Sequence, residues 1–458
     1  MTKQNTTHDL LSGPIMPTLK KMTIQVMYGM VMLMSFNLAD TFFIGLLGTE
    51  PLAAVSFTFP VTFTLVSLTI GLGIGTSAVI ARFIGSGEGE QAKEAGTAAI
   101  YLSLLLVCLL AIAGYYSITP IFTLLGASED LLPIIHEYME IWLIGAVLLT
   151  LPMVGNSVLR ASGDTKTPSF IMALGGVINA ALDPVLIFGL GPIPAMGVQG
   201  AAIASVLGWG VGGIIIIRLL VFKRRLVLAL PSGGESFSAH VKSVLKIGLP
   251  ASGANMLTPI AMAFMTAIVA GYGNPAVAAF GVGSRIESLA SMVVLALSMT
   301  LPPFISQNYG ANHLSRIKQA YQGVLKFVLI WQLAVYLVLV LSAGLIAAAF
   351  GDDLEVQRLI VLFIYIMPLG YGLQGVIILS NSSFNALHKP LHALGLSVAR
   401  LFVFFVPISY LCGHFWGIEG LFAGGVLANL ITAAIAYRVF MTQFQCLDKP
   451  DNVAEVSS

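Results

Sequence analysis

Two carboxylates stand where carboxylates are rare. Asp40, in Phe36-Asn37-Leu38-Ala39-Asp40, and Asp183, in Asn179-Ala180-Ala181-Leu182-Asp183-Pro184, each lie deep inside a long apolar stretch. An acid at bilayer depth costs about 2.5–3.5 kcal/mol on insertion scales, and Ser, Thr or Asn join helices more cheaply. A low-dielectric surrounding favours the neutral form of a carboxyl group, which is what a carrier of protons needs. Asp40 is eight residues before the turn at Gly48, and Asp183 six before the turn at Gly189. At a rise of 1.5 Å per residue both then sit roughly 9–12 Å below the helix ends, at similar depth. Asn179 precedes Asp183 by four residues and Asn37 precedes Asp40 by three, so each amide shares its acid's helix face. Asp40 and Asp183 are the candidate proton acceptors, with Asn179 as their organiser. Asn37 and Phe36 are candidate substrate or cation contacts. Pro184 has no N–H and frees the Ala180 carbonyl to face a proton, water or cation. Helix glue is the bland alternative for both acids, and the oxygens of Asp40, Asn179 and Asp183 also suit sodium.

The elements that carry these residues are membrane spans. The chain has 458 residues, 57% hydrophobic and 9% charged, against about 25% charged in a soluble domain. Its apolar runs repeatedly reach the roughly 20 residues that cross a bilayer. Twelve spans are expected, centred near Met32, Thr64, Leu104, Val147, Val177, Gly208, Met262, Val293, Ala334, Met367, Phe402 and Ile431. Lys and Arg gather in alternate connections, among them Lys20, Lys21, Arg82, Lys93, Arg160, Lys166, Lys223, Arg224, Arg225, Arg316, Lys318, Lys389, Arg438 and Lys449. The positive-inside rule then predicts both termini in the cytoplasm. Cys108, Cys412 and Cys446 have no paired spacing, so neither a disulfide framework nor a zinc site is expected.

A duplication runs through the sequence. A shift of 225 residues lays Gly48 on Gly273, Ile80 on Ile305, Gly85 on Gly310, Lys93 on Lys318 and Asn156-Ser157 on Asn381-Ser382. The shift shortens to 222 at Pro168 and Pro390, and to 220 at Gly197 and Gly417. An even number of spans per half gives both halves one orientation. The expected fold is therefore an all-α polytopic membrane protein, with two six-helix bundles related by a pseudo-two-fold along the membrane normal and a cavity between them. The predicted lobes are 1–222 and 241–458, joined by a cytoplasmic linker over 223–240. Under these shifts Asp40 falls on Met265 and Asp183 on Phe405, so the acids belong to the first lobe alone.

At this point the chain resembles the multidrug and toxin extrusion family, in pattern nearest its proton-coupled, DinF-like branch. The resemblance rests on Asp40-Thr41-Phe42-Phe43-Ile44-Gly45, on Asn156-Ser157 through Arg160-Ala161-Ser162-Gly163-Asp164 to Pro168, and on Asn179 to Pro184. It implies two six-helix bundles in a V, rocking between outward-open and inward-open states. It also implies antiport of organic cations or amphipathic drugs against protons or sodium, without enzymatic chemistry. The proton-coupled branch carries matching acids in spans 1 and 5, with an Asn one turn before the second. Sodium-coupled relatives have acids in spans 7 and 10, and no acid stands between Gly248 and Asn255 or between Leu359 and Lys389. Proton-coupled relatives also bend span 1 at a proline, yet no proline lies between Met22 and Leu47, leaving Gly29 as the weak point. The expected partners are small-molecule drugs, protons or sodium and the lipid bilayer, with no nucleic acid, no cofactor and no metal, in a monomer of the cell membrane.

Other features take plainer readings. Gly71, Gly73 and Gly75 lack the Lys-Ser/Thr ending of a nucleotide loop and are read as helix-packing notches. Met27, Met30, Met32 and Met34 suit a promiscuous cavity and equally a core or lipid-facing surface. Lys326 is read as snorkelling, and His136, Glu137 and Glu140 as interfacial. Arg285 and Arg400 are deep cations of the second lobe, suited either to anionic groups or to pairing with neighbours such as Glu287. A lipid-linked glycan flippase would need a more cationic cavity than these two supply. An intramembrane enzyme would need a nucleophile beside a base, and His388 and His392 lie near a span end. A receptor or scaffold fits twelve duplicated spans poorly.

Overall fold

The computed structural model describes residues 10–230, 234–350 and 353–447. The residues before Leu10, the linker's Pro231, Ser232 and Gly233, the loop residues Gly351 and Asp352, and Lys449 fall outside them, as does the Cys446 side chain. Lipid offers no partner to a free backbone group, so each apolar run closes its hydrogen bonds as a helix. The spans are span 1 (Ile15–Gly45), span 2 (Phe59–Gly85), span 3 (Gly89–Tyr116), span 4 (Leu132–Ala161), span 5 (Lys166–Phe188) and span 6 (Gly197–Lys223). Span 7 follows (Gly234–Ala270), then span 8 (Asn274–Ala290 and Met292–Gly310, bent by 43°), span 9 (Leu314–Ala349) and span 10 (Leu354–Ala386). Spans 11 and 12 share the helical stretch Pro390–Gln445 and part at Trp416 and Gly417, where helical geometry is lost. With the bent pair taken as one span, the described residues hold the twelve that the sequence predicts.

The duplication is written into the turns. Left-handed φ angles occur at Gly87 (82°) and Asn312 (57°), at Gly163 (86°) and His388 (58°), and at Gly197 (54°) and Gly417 (65°). Each pair is one of the sequence equivalences. The bonds repeat as well. Glu88 N–H donates to the Phe83 carbonyl at 2.8 Å and His313 N–H to that of Asn308 at 2.7 Å. Asp164 N–H donates to Leu159 at 3.1 Å, and Lys389 N–H to Phe384 at 2.9 Å. Left-handed backbone is costly for residues with a Cβ, least so for Asn, which is why the first copy spends glycine at these corners.

Contacts divide the described chain into two compact units, one of Lys21–Ser252 and one of Leu10–Lys20 with the chain from Gly253 onward. The segment read as a linker is tied to the first unit. Arg224 Nη2 meets Asp164 Oδ2 at 2.6 Å, Leu228 N–H donates to Thr97 Oγ1 at 2.9 Å, and Tyr101 O–H donates to the Ala229 carbonyl at 3.0 Å. In the second unit, Arg316 Nη2 donates to the carbonyls of Leu10 and Gly13 at 3.3 and 2.8 Å, and Asn308 Nδ2 to Leu10 at 3.0 Å.

Inside each unit the helices approach through small residues, since packing rather than water drives association in lipid. The three glycines of span 2 are notches. A Cβ on Gly73 would lie 2.7 Å from Ser157 Oγ, and one on Gly75 would lie 2.6 Å from the Val244 carbonyl. Gly71 receives span 7 so closely that Ser252 Oγ bonds the Leu68 carbonyl at 3.2 Å. Leu105, Leu109, Leu110 and Ile112 stay exposed on span 3, the surface that lipid covers.

Candidate functional site

Span 1 and span 5 lie side by side in the first unit, running in one direction, and a ladder of contacts shows it. Thr165 Oγ1 donates to Gln25 Oε1 at 2.6 Å. A Cβ on Gly29 would lie 3.0 Å from Ser169. The Phe36 ring fills the space that a Cβ on Gly176 would need. Phe43 meets Phe188 edge to face, with centroids 6.4 Å apart. Span 1 is continuous through Gly29. Gly29 is thus a site of close approach to span 5 rather than a bend.

The ladder brings Asp40 and Asp183 to one level. Asp40 stands five residues before Gly45 and Asp183 five before Phe188, the two helix ends, roughly 8 Å inside each. Asp183 is fully buried and Asp40 half-buried. The Asp40 charge acts on Asp183, and both act on the buried Tyr138 of span 4. Among the described residues neither carboxylate is in an ion pair. Asp40 Oδ1 and Asp183 Oδ2 are buried without a hydrogen-bond partner.

Asn179 anchors the other side of Asp183. Its Nδ2 donates to Asp183 Oδ1 at 3.3 Å and to Ser205 Oγ of span 6 at 3.2 Å. The reach across to span 6 depends on two glycines. A Cβ on Gly208 would lie 2.8 Å from the Gly175 carbonyl and 3.7 Å from Asn179 Cβ. Higher up, Met196 N–H donates to the Leu186 carbonyl at 3.0 Å and ties the two helix ends. The helix continues through Pro184 to Phe188.

Asn37 is not the hydrogen-bonding neighbour of Asp40 that its spacing suggested. Its side chain is exposed and makes no hydrogen bond to Asp40. A side chain as short as Asn bridges one helical turn only when both polar ends turn the same way. Asp40 buries its Oδ1, while the Asn37 side chain stays exposed. Two residues escaped the sequence reading, Ser205 and Tyr138. Ser205 sits in a run of small residues, Gly200-Ala201-Ala202-Ile203-Ala204-Ser205, which marks a close helix contact without saying to whom. Tyr138, in His136-Glu137-Tyr138-Met139-Glu140, was hidden by its charged neighbours, where His136 Nδ1 meets Glu140 Oε1 at 3.0 Å.

The second unit has no such site at the equivalent place. Met265 and Phe405 are buried there in one apolar cluster with Val269, Phe363 and Phe422. Its charges lie elsewhere. Arg285 is exposed, while Arg400 and Glu287 act on each other electrostatically.

The comparisons with known proteins agree with this architecture. The MatE family model matches residues 26–185 and again 250–411, two copies set apart by nearly the 225-residue offset. An FAD transporter of Shewanella oneidensis is 41% identical over 430 residues, 94% of this chain and 95% of that protein. A multidrug export protein of Staphylococcus haemolyticus is 24% identical, covering 90% of each chain. Among solved structures, a Vibrio cholerae MATE transporter in its bent form superposes with a TM-score of 0.90 at 36% identity, covering 97% of this chain and 99% of that one. A Pyrococcus furiosus transporter, whose reported reverse polarity of the binding pocket suggests a different function, gives 0.90 at 28% identity over 98% of this chain and all of that one. The chain belongs to the MatE family and is a multi-span membrane transporter, not an enzyme.

Proposed function

We propose that this transporter is a secondary antiporter that exports organic cations and amphipathic drugs in exchange for protons, with Asp40 and Asp183 as the proton carriers and Asn179 as their organiser. The observation that carries this reading is the pair of partnerless buried oxygens, Asp40 Oδ1 and Asp183 Oδ2. A buried acceptor without a donor costs about 1–3 kcal/mol, and two carboxylates that feel each other's charge do not both remain ionised without cost. A proton cures both faults. It removes a charge and turns an orphan acceptor into an O–H donor. One charge crossing 100 mV supplies about 2.3 kcal/mol to the cycle. We place the protein in the cell membrane with both termini cytoplasmic, on the distribution of Lys and Arg, as two six-span lobes joined over 223–240, acting as a monomer.

Reconstitution in liposomes with separately imposed proton and sodium gradients tests the reading. Export of a cationic dye such as ethidium is expected under the proton gradient alone and is expected to vanish in Asp40→Asn and Asp183→Asn. Export driven by sodium alone would reassign the same oxygens to sodium.

A second reading concerns the cargo. The 41% identical Shewanella oneidensis protein is an FAD transporter, which favours a flavin dinucleotide as substrate here too. Counterflow of FAD into liposomes preloaded with it tests this directly.

A further inference from the structure

The second unit contains a polar cluster that the proton site does not use, built from three spans at three helix irregularities. Glu287 lies in span 8, shortly before the 43° bend that follows Ala290. Tyr371 and Gln374 begin the C-terminal part of span 10, just after the 3₁₀ turn Met367–Gly370. Arg400 sits in the π-helical segment Ala399–Phe405 of span 11. Irregular turns of this kind inside helices gather at functional sites.

The bonding within the cluster is incomplete in one direction. Gln374 Nε2 donates to Glu287 Oε1 at 2.8 Å. Glu287 acts electrostatically on both Arg400 and Tyr371. Yet among the described residues no Arg400 nitrogen comes within 4 Å of a carboxylate oxygen. The Arg400 Nε and the Tyr371 hydroxyl are both buried without a partner, and Tyr371 is only 2% exposed. Glu287 therefore supplies a counter-charge at a distance, which keeps the guanidinium in the membrane while leaving its N–H groups free. What is missing is an acceptor.

We propose that Arg400 and Tyr371, on spans 11 and 10 near the bonded pair Glu287 and Gln374, form a subsite for a phosphate group of the transported substrate. A guanidinium presents a planar fork of donors that matches phosphate oxygens, and a phenol O–H adds a further one. At the Asp40–Asp183 site of the first unit a phosphate would meet carboxyl groups rather than a cation. The half-buried Arg160 of the first unit already donates to Ser157 Oγ at 2.7 Å. The class of ligand is thus a phosphate-bearing amphipath with an aromatic body, and the assignment rests on the flavin dinucleotide reading of the cargo.

Liposomes carrying wild type, Arg400→Gln, Arg400→Lys and Tyr371→Phe, under an imposed pH gradient, test this through initial fluxes of FAD, riboflavin and ethidium. Riboflavin shares the ring system and lacks the phosphates. Arg400→Gln is expected to lower the FAD-to-riboflavin flux ratio at least tenfold, with partial recovery in Arg400→Lys. Tyr371→Phe, which removes one hydroxyl and keeps the ring, is expected to lower it about threefold and carries the test if Arg400→Gln does not fold. An unchanged ratio in the folded variants overturns the subsite, as does equal loss of all three fluxes. A wild type that pumps ethidium and not FAD overturns the cargo reading as well, so the two failures are distinguishable.

Discussion

At the scale of single residues, the account turns on what a carboxylate does when it has no donor. Asp183 receives one long bond from Asn179 and leaves Oδ2 bare, and Asp40 leaves Oδ1 bare. An amide in place of either acid removes the buried charge and brings N–H groups of its own. Asp183→Asn is accordingly expected to keep or raise thermal stability in detergent, by up to about 2 kcal/mol, while losing proton-driven export. A large loss of stability would show the acid to be helix glue instead. Asn179→Ala removes the donor to both Asp183 and Ser205, and is expected to slow proton-driven export several-fold without abolishing it, read as initial flux against the imposed pH difference. Asp183 and its i−4 amide were legible in the sequence because both lie on one helix. Tyr138 and Ser205 were not, because they meet the site across helix interfaces, and polar residues of these types carry no mark of the partner they will find.

At the scale of elements, glycine decides how closely the spans approach, and closeness decides which side chains meet. Gly208→Val pushes a branched side chain toward the Gly175 carbonyl and the Asn179 Cβ. It is expected to cost about 1–3 kcal/mol through overpacking and to break the bond from Asn179 to Ser205, both measured as a fall in melting temperature and in flux. Gly281, whose Cβ would meet nothing within 4 Å, is the control, and Gly281→Ala is expected to hold or raise stability by roughly 1 kcal/mol. Gly87 separates space from backbone strain. Nothing lies within 4 Å of its Cβ position, but its φ of 82° disfavours a β-branched residue, so Gly87→Val is expected to cost about 1–2 kcal/mol. The twelve spans were readable from apolar length alone. The glycines of span 2 were readable as notches, whereas the pairing of Gly175 with Gly208 and of Gly176 with Phe36 needed the packed helices.

At the scale of the whole molecule, a duplicated scaffold carries unlike contents in its two copies. The corners repeat in position and in backbone angle, and the sequence announced them through its 225-residue offset. The interiors diverge. Where the first unit holds Asp40 and Asp183, the second holds Met265 and Phe405 in an apolar cluster, and Glu287 and Arg400 act on each other at a different place. That cluster was only half legible, because Arg400 and Glu287 are over a hundred residues apart and only the fold sets them in one another's field. On the proposed reading, proton coupling belongs to the first copy, and this proposal is open to one direct measurement. Ethidium export by reconstituted wild type, Asp183→Asn and Met265→Ala is followed under an imposed proton gradient with sodium absent. The account predicts export by wild type and Met265→Ala and a loss of at least tenfold in Asp183→Asn. Proton-driven export that survives in Asp183→Asn would contradict it.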